Sequence, residues 1–226
     1  MKTALQPASE HDLGIEIRGV TLRGDLTVPD GAPGLVIFAH GSGSGRKSSR
    51  NRAVARFLQE HHIGTLLFDL LTMEEERIDS STAHLRFDIP LLAGRLRSVT
   101  EWVLSEHGEI SIGYFGASTG AAAALIAAAE PGPRINAVVS RGGRPDLAGP
   151  ALRQVTAPTL LIVGGDDQPV IGLNEQAFAL LQCEKRMEIV PGATHLFEEP
   201  GKLQRICELA TAWFQQFLLA ATVPRE

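Results

Sequence analysis

Ser118 is the residue of this sequence best suited to act as a nucleophile. It lies in Gly116-Ala117-Ser118-Thr119-Gly120, a Gly-x-Ser-x-Gly pattern between the apolar run EISIGYFG and the alanine-rich stretch TGAAAALIAAAE. A strand, a sharp turn and a helix in that order hold a serine at an unfavourable positive φ and expose its Oγ, while the glycines let neighbouring backbone come close. The pattern therefore predicts a nucleophilic serine, rather than a polar residue that only begins a helix.

A serine hydroxyl needs a general base, and His195 is the only histidine that follows Ser118 in the sequence. It lies in VPGATHLFEEPG, just after the apolar run KRMEIV. In folds that carry such a serine turn, the acid follows a later strand and the histidine follows the last strand. We therefore predict that His195 is the base.

Two adjacent aspartates compete for the role of the acid that orients the histidine. Asp166 and Asp167 both follow the apolar run PTLLIVGG, at the carboxyl end of a predicted strand. Counting from Gly164, the Gly-x-x-Asp-x-x-Val spacing favours Asp167. Asp166 is then expected to cap the following turn or helix, although it stays open as the alternative acid.

A glycine-rich stretch, AHGSGSGRKSS (39–49), follows the first long apolar run. Its backbone amides can approach a ligand closely, as a tetrahedral oxyanion requires. We assign the backbone N–H groups of Ser42 and Thr119 to an oxyanion hole, and expect Gly41 and Gly43 to face the substrate.

Two alternative hypotheses, in which the glycine-rich stretch binds a nucleotide, are not favoured. The phosphate-loop pattern GxxxxGK[ST] fails because Arg46, not glycine, precedes Lys47. A dinucleotide-binding reading lacks the further glycine of GxGxxG, although Asp69 could supply the acidic residue.

Three arginines could recognise an anionic substrate. Arg141 and Arg144 flank Gly142-Gly143 just past the apolar run INAVVS, and Arg86 lies in an irregular stretch before it. Each could pair with a carboxylate or phosphate. The alternative is that they bond the Glu74–Glu76 cluster or loop carbonyls.

The elements that position these residues alternate between short apolar runs and helical patterns. This alternation predicts an α/β fold with a mostly parallel sheet of about eight strands, helices on both faces, and a single domain over residues 1–226. Residues 14–29 predict an antiparallel hairpin at the sheet edge, and 71–90 predicts a surface loop or short excursion. The remaining strands are predicted at 34–40, 64–71, 109–116, 135–143, 158–165 and 185–192, and helices at 48–62, 90–106, 119–130, 174–182 and 202–220.

Composition excludes several other classes of function. The net charge of −5 gives no reason to expect nucleic acid or an anionic membrane as a partner. No apolar run reaches eighteen residues and no secretory signal begins the chain, so we expect a cytoplasmic protein.

Cys183 and Cys207 lack metal or disulfide spacing, and HExxH is absent. We therefore expect no metal or cofactor, and a monomer or homodimer.

Taken together, the sequence resembles the α/β-hydrolase superfamily, and in particular small, capless members of the dienelactone hydrolase group. The resemblance covers nearly all of residues 14–220 and rests on His40-Gly41 with its glycine loop, the Gly116–Gly120 pattern, Gly164 to Asp167, and His195. LRFDIPLLAGRL, FGASTGAAAAL, VVSRGGRPDLAG and PGATHLFEEPG further resemble bacterial hydrolase-like proteins that sometimes occur fused to phosphoribosyltransferase domains. No such partner domain is expected within these 226 residues.

The resemblance implies hydrolysis of carboxylic esters. The sequence itself shows no helical insertion after residue 143 that could form a lid, so we expect open access to Ser118 and a small ester as the substrate. Dienelactone hydrolases proper use a cysteine nucleophile, so dienelactone itself is not carried over to a chain with serine at position 118. A thioesterase or acyltransferase would use the same residues. A hydrolase-fold protein that binds a ligand without turnover is a further alternative, disfavoured because such a protein needs no serine, acid and histidine together.

Overall fold

In residues 11–219, which the computed structural model describes, eight strands form one sheet. They are β1 (His11–Ile17), β2 (Val20–Thr27), β3 (Gly34–Ala39), β4 (Gly64–Phe68), β5 (Ser111–Ala117), β6 (Ala137–Arg141), β7 (Thr159–Gly164) and β8 (Lys185–Val190). Their order across the sheet is β1-β2-β4-β3-β5-β6-β7-β8. β3 to β8 run parallel, whereas β1 and β2 form an antiparallel edge. The predicted fold class and edge hairpin are confirmed.

The helices of the described residues cover both faces of this sheet. They are α1 (Ser49–Glu60), α2 (Met73–Thr82), α3 (Ile89–His107), α4 (Thr119–Ala129), α5 (Gln168–Leu180) and α6 (Lys202–Leu219). α1 and α6 pack on one face around Phe115 and Phe214, while α3, α4 and α5 pack on the other around Tyr114. Every residue of β3 to β7 is buried, as strands covered on both faces require. No helix within this part of the chain is both long and apolar enough to span a bilayer.

Two expectations about the region after β6 are wrong. Residues Pro145–Gln154 form 3-10 turns packed against α4 and α5, so a helical segment does follow residue 143. α5 begins at Gln168 rather than at 174. Its early start is possible because Pro169 lies in the first turn, where a backbone N–H has no helical acceptor and its absence costs nothing.

The stretch 71–90 is also more regular than expected. It contains α2 and a 3-10 turn, Leu85–Phe87, and α3 begins at Ile89. Thr72 and Glu75 form a capping box, in which each side chain bonds the other residue's backbone N–H. This Thr-x-x-Glu spacing is visible in the sequence and was the signal that could have predicted the helix.

Candidate active site

Ser118 lies in a strained turn between β5 and α4. Its φ of 51° and ψ of −122° place it in a region that residues with a side chain rarely adopt. The turn is so tight that a side chain would not fit at either Gly116 or Gly120, the glycines that flank Ser118. A Cβ at Gly116 would lie 2.5 Å from Ala121 Cα, and one at Gly120 would lie 2.1 Å from Ala39 O. The predicted strand–turn–helix context of Ser118 is therefore present in the fold.

His195 and Asp167 are hydrogen-bonded to each other. His195 Nδ1 lies 2.7 Å from Asp167 Oδ2, and the two residues come from the loops after β8 and β7. A carboxylate accepts but cannot donate when ionised, so Nδ1 carries the proton and Nε2 is left as an acceptor. This is the tautomer that a general base needs. The Asp167 side chain is 13% exposed and the His195 side chain 37%, which leaves the imidazole open to a substrate.

Asp166 does not cap α5, and that expectation is wrong. The N-cap residue is Asp167, and its side chain makes no capping hydrogen bond. Asp167 makes no capping bond because its carboxylate is hydrogen-bonded to His195 instead. Asp166 is exposed, and its backbone N–H donates to Ala193 O at 3.0 Å, which ties the acid loop to the histidine loop.

The glycine loop after β3 packs directly on the serine turn. A Cβ at Gly41 would lie 3.0 Å from Ser118 Cβ. The backbone N–H of Ser42 donates to Thr119 Oγ1 at 2.9 Å, so the two residues predicted for the oxyanion hole are in contact. At the far end of the loop, Arg46 donates from its backbone and its Nε to Asp69 and also pairs with Asp25.

His40 holds the other end of this loop. Its Nδ1 lies 3.0 Å from Gly41 O and its Nε2 accepts the backbone N–H of Leu70 at 3.0 Å. Those partners fix a neutral imidazole protonated on Nδ1. Burial lowers the pKa of His40, which keeps the ring neutral. His40 belongs to the motif that follows β3, and no role was predicted for it; its place directly after a buried strand was the available signal.

The three candidate arginines have different surroundings, and none bonds the Glu74–Glu76 cluster. Arg144 forms two hydrogen bonds with Asp146, and Arg86 bonds the Asp79 carboxylate and carbonyl. Arg141 is buried and donates from Nη2 to Asn51 Oδ1 at 3.2 Å. Only Arg141 of the three therefore lacks a carboxylate partner within residues 11–219.

A cavity of about 50 Å³ lies beside the glycine loop. Its lining includes Ser42 and Gly43 on one side, and Glu76, Asp79 and Arg86 on the other. The volume is that of a small substituent rather than a whole substrate. Ser118, Asp167 and His195 do not line it, so the cavity lies beside these three residues, between the glycine loop and α2.

The fold and this arrangement at the carboxyl edge of the sheet define an α/β hydrolase without a separate cap domain. Comparison with known proteins makes the assignment narrower. A dienelactone hydrolase of Anabaena variabilis, known from its crystal structure, is 55% identical, with a TM-score of 0.91 over 94% of this chain and 99% of that one. The chain therefore belongs to the dienelactone hydrolase family of α/β hydrolases.

Other similar proteins limit which properties of relatives can be assigned to this chain. Two Mycobacterium tuberculosis proteins, both named "Putative phosphoribosyl transferase", are 53% identical over 210 residues, which is 92% of this chain but 46% of theirs. The chain thus spans about half the length of the curated relatives it matches. A lidless α/β serine hydrolase of Xanthomonas campestris shares the fold at 21% identity and a TM-score of 0.74, over 95% of this chain and 97% of that one. No protein-family model matches the chain.

Proposed function

We propose that this chain hydrolyses small carboxylic esters through an acyl-enzyme formed on Ser118. The observation that carries the proposal is the 2.7 Å hydrogen bond between Asp167 and His195, because it fixes the tautomer of a base that could serve Ser118. Family membership and the strained serine turn support the same reaction. The mycobacterial name is not transferred, because this chain spans only 46% of those proteins.

In the first half of the reaction, Ser118 Oγ attacks the ester carbonyl while His195 Nε2 takes its proton. The tetrahedral oxyanion accepts hydrogen bonds from the backbone N–H of Thr119 and from that of Ser42, near the positive end of the α4 dipole. The Ser42 N–H, which donates to Thr119 Oγ1 in the free protein, is then shared between that hydroxyl and the oxyanion. His195 then returns the proton to the leaving alcohol, and the C–O bond of the ester breaks.

In the second half, a water molecule replaces the alcohol. His195 takes a proton from the water, the resulting nucleophile attacks the acyl carbonyl, and the proton passes to Ser118 Oγ as the acyl bond breaks. Asp167 stabilises the imidazolium in both halves without itself becoming protonated. The products are a carboxylic acid and an alcohol.

A fluorophosphonate probe tests the proposal. The wild type is expected to become labelled at Ser118, and Ser118→Ala is expected not to react. Ser44→Ala is the matched control, because Ser44 lies in the glycine loop but outside the proposed mechanism. Absence of labelling in the wild type would instead support a hydrolase-fold binder. Turnover of p-nitrophenyl esters against acyl thioesters then separates an esterase from a thioesterase.

A further inference from the structure

The cavity between the glycine loop and α2 has the size of one short chain. Its volume is about 50 Å³. A water-sized group needs about 10–15 Å³ of such space, so the cavity holds about four non-hydrogen atoms. It therefore accepts one short part of a substrate rather than the whole molecule.

The floor of the cavity is hydrocarbon. Leu70 and Leu71 follow β4, and Leu92 lies near the start of α3; all three line the cavity and are at most 9% exposed. Burying one methylene group against such side chains strengthens binding about fourfold. The floor therefore favours an aliphatic chain and distinguishes chains by their length.

The buried charged groups around the cavity are already paired within the protein. Asp79 pairs with Arg86, and Asp69 accepts two hydrogen bonds from Arg46. Glu76, which also lines the cavity, is exposed to water. Among the described residues of this lining, no buried charge is left for a substrate ion to neutralise, so an uncharged chain fits the cavity best.

The Asp79–Arg86 pair also closes one side of the cavity. Asp79 is the one buried residue of α2, and Arg86 Nη2 donates to the Asp79 carbonyl at 2.6 Å. On the opposite side the guanidinium approaches the glycine loop, since a Cβ at Gly43 would lie 3.8 Å from Arg86 Nη1. The guanidinium therefore spans the distance from α2 to the glycine loop and limits the length of a chain in the cavity.

The cavity lies next to the proposed reacting groups. Gly41 and Ser42 line it, and a Cβ at Gly41 would lie 3.0 Å from Ser118 Cβ. The Ser42 N–H is one of the two donors proposed for the oxyanion. A group bonded to the carbonyl carbon, which lies between Ser118 Oγ and that oxyanion, is therefore adjacent to the cavity.

The direction of proton transfer decides which part of the ester enters. In the tetrahedral intermediate the carbonyl carbon bears Ser118 Oγ, the oxyanion, the leaving alkoxy group and the acyl chain. The leaving oxygen must face His195, because His195 returns the proton to it. His195 does not line the cavity, so the alkoxy group points elsewhere and the acyl chain is the occupant that remains.

We propose that this cavity is the acyl pocket, and that the enzyme prefers esters of acids with an uncharged chain of about three or four carbons beyond the carbonyl, such as butyrate and valerate. This inference rests on the proposed function of Ser118. Shorter chains leave part of the leucine floor uncovered, and longer chains meet the wall formed by Asp79 and Arg86.

The test is the acyl-chain profile of p-nitrophenyl esters from acetate to octanoate, measured as kcat/KM. The wild type is expected to be fastest with butyrate or valerate and at least about 10-fold slower with octanoate, which overfills the cavity. Leu92→Ala shortens a side chain of the floor to a methyl group. It is expected to raise the octanoate-to-butyrate ratio about 10- to 20-fold, because it admits about two further methylenes at about fourfold each.

Leu96→Ala is the matched control for this variant. Leu96 lies one turn further along α3, is fully buried and does not line the cavity. The control is expected to lose stability as Leu92→Ala does but to keep the wild-type profile. Fluorophosphonate labelling shows that each variant is folded and that Ser118 reacts.

Two results overturn the acyl pocket alone. One is a labelled wild type whose profile is flat or is fastest with acetate or octanoate. The other is an unchanged octanoate-to-butyrate ratio in labelled Leu92→Ala. If Leu92→Ala does not fold, Leu71→Ala changes the same floor from the β4 side, and its ratio decides.

Esters that vary the alcohol test the two sides of the site separately. Alkyl acetates from methyl to heptyl carry the same chains on the leaving oxygen, and titration of the released acetic acid measures their turnover. Leu92→Ala is expected to leave this profile unchanged, because the alcohol lies toward His195. A shift in the alcohol series without one in the acyl series overturns the assignment of the cavity to the acyl chain.

Failure of the proposed function would look different. An unlabelled wild type overturns the serine mechanism, and the cavity is then tested by calorimetry with butyramide against hexanamide. Tighter binding of butyramide, in a preference that Leu92→Ala reduces, supports a pocket for a short uncharged chain. Equal or absent binding of the two amides overturns it.

Discussion

The backbone N–H of Ser42 donates to the hydroxyl of Thr119 at 2.9 Å, across 77 positions of sequence. This bond joins the loop after β3 to the first turn of α4, so each of the two proposed oxyanion donors lies in a segment that the other holds in place. Thr119 is buried, and its hydroxyl oxygen accepts the N–H of Ser42, the same amide that we propose as an oxyanion donor.

Replacing Thr119 with valine is therefore expected to impair turnover more than binding. Valine keeps the shape but removes the acceptor, so the Ser42 amide loses its orientation at a cost of about 1–3 kcal/mol. We expect kcat to fall about 10- to 100-fold with little change in KM, measured with p-nitrophenyl esters. Thr119→Ser keeps the hydroxyl and is expected to retain most activity. Equal losses in both variants would contradict a role for the hydrogen bond.

The two adjacent aspartates are expected to differ sharply when each is changed to asparagine. Asp167→Asn removes the acceptor that sets the His195 tautomer, and kcat should fall by about 10³- to 10⁴-fold. Asp166→Asn changes an exposed side chain and should alter kcat by about twofold or less. Steady-state kinetics of both variants decide the point. If Asp166→Asn proves the more damaging, Asp167 is not the triad acid.

Gly120 lies against the end of β3, and we expect the folded protein to require glycine at this position. A Cβ at Gly120 would lie 2.1 Å from a backbone carbonyl oxygen, so Gly120→Ala should lower the free energy of unfolding by about 3 kcal/mol or more. Gly94→Ala is the control, because Gly94 lies inside α3 with open space around its Cβ position. It should raise that free energy by about 0.5–1 kcal/mol. Urea unfolding curves measure both changes, and similar losses would contradict the steric argument.

His40 is expected to make the protein less stable in mild acid. Burial lowers its pKa in the folded state, although Asp69 and Glu76 nearby act in the opposite direction. Between that lowered value and the ordinary 6.5, the unfolded chain binds the proton more readily, so the free energy of unfolding falls as pH falls.

The matching variant is His40→Gln, whose amide oxygen can still accept the N–H of Leu70. The loss of stability between pH 7 and pH 5 should be smaller in this variant than in the wild type. Urea unfolding at the two pH values measures the difference. His107, whose pKa burial also lowers, is present in both proteins and cancels in the comparison. An identical pH dependence would show that His40 does not control it.

The fold and the turn at Ser118 could be predicted from the sequence because the relevant signals are local. The apolar runs that became β3 to β8 are short and continuous, and Gly116 to Gly120 carry their turn geometry in five consecutive residues. Prediction failed where a local signal was overlooked, as at the capping box of Thr72 and Glu75. The expectation that Asp166 caps α5 also failed, because the N-cap position falls on Asp167, whose carboxylate bonds His195 instead of the helix.

What the sequence determined by itself was the α/β class, the serine turn and the presence of a histidine after the last strand. Which groups meet was decided only by the tertiary structure. Asp167 contacts His195 across 28 positions and Arg141 contacts Asn51 across 90. The physical reason is that parallel strands bring their carboxyl ends to one edge of the sheet, so partners depend on strand order, which no local pattern encodes.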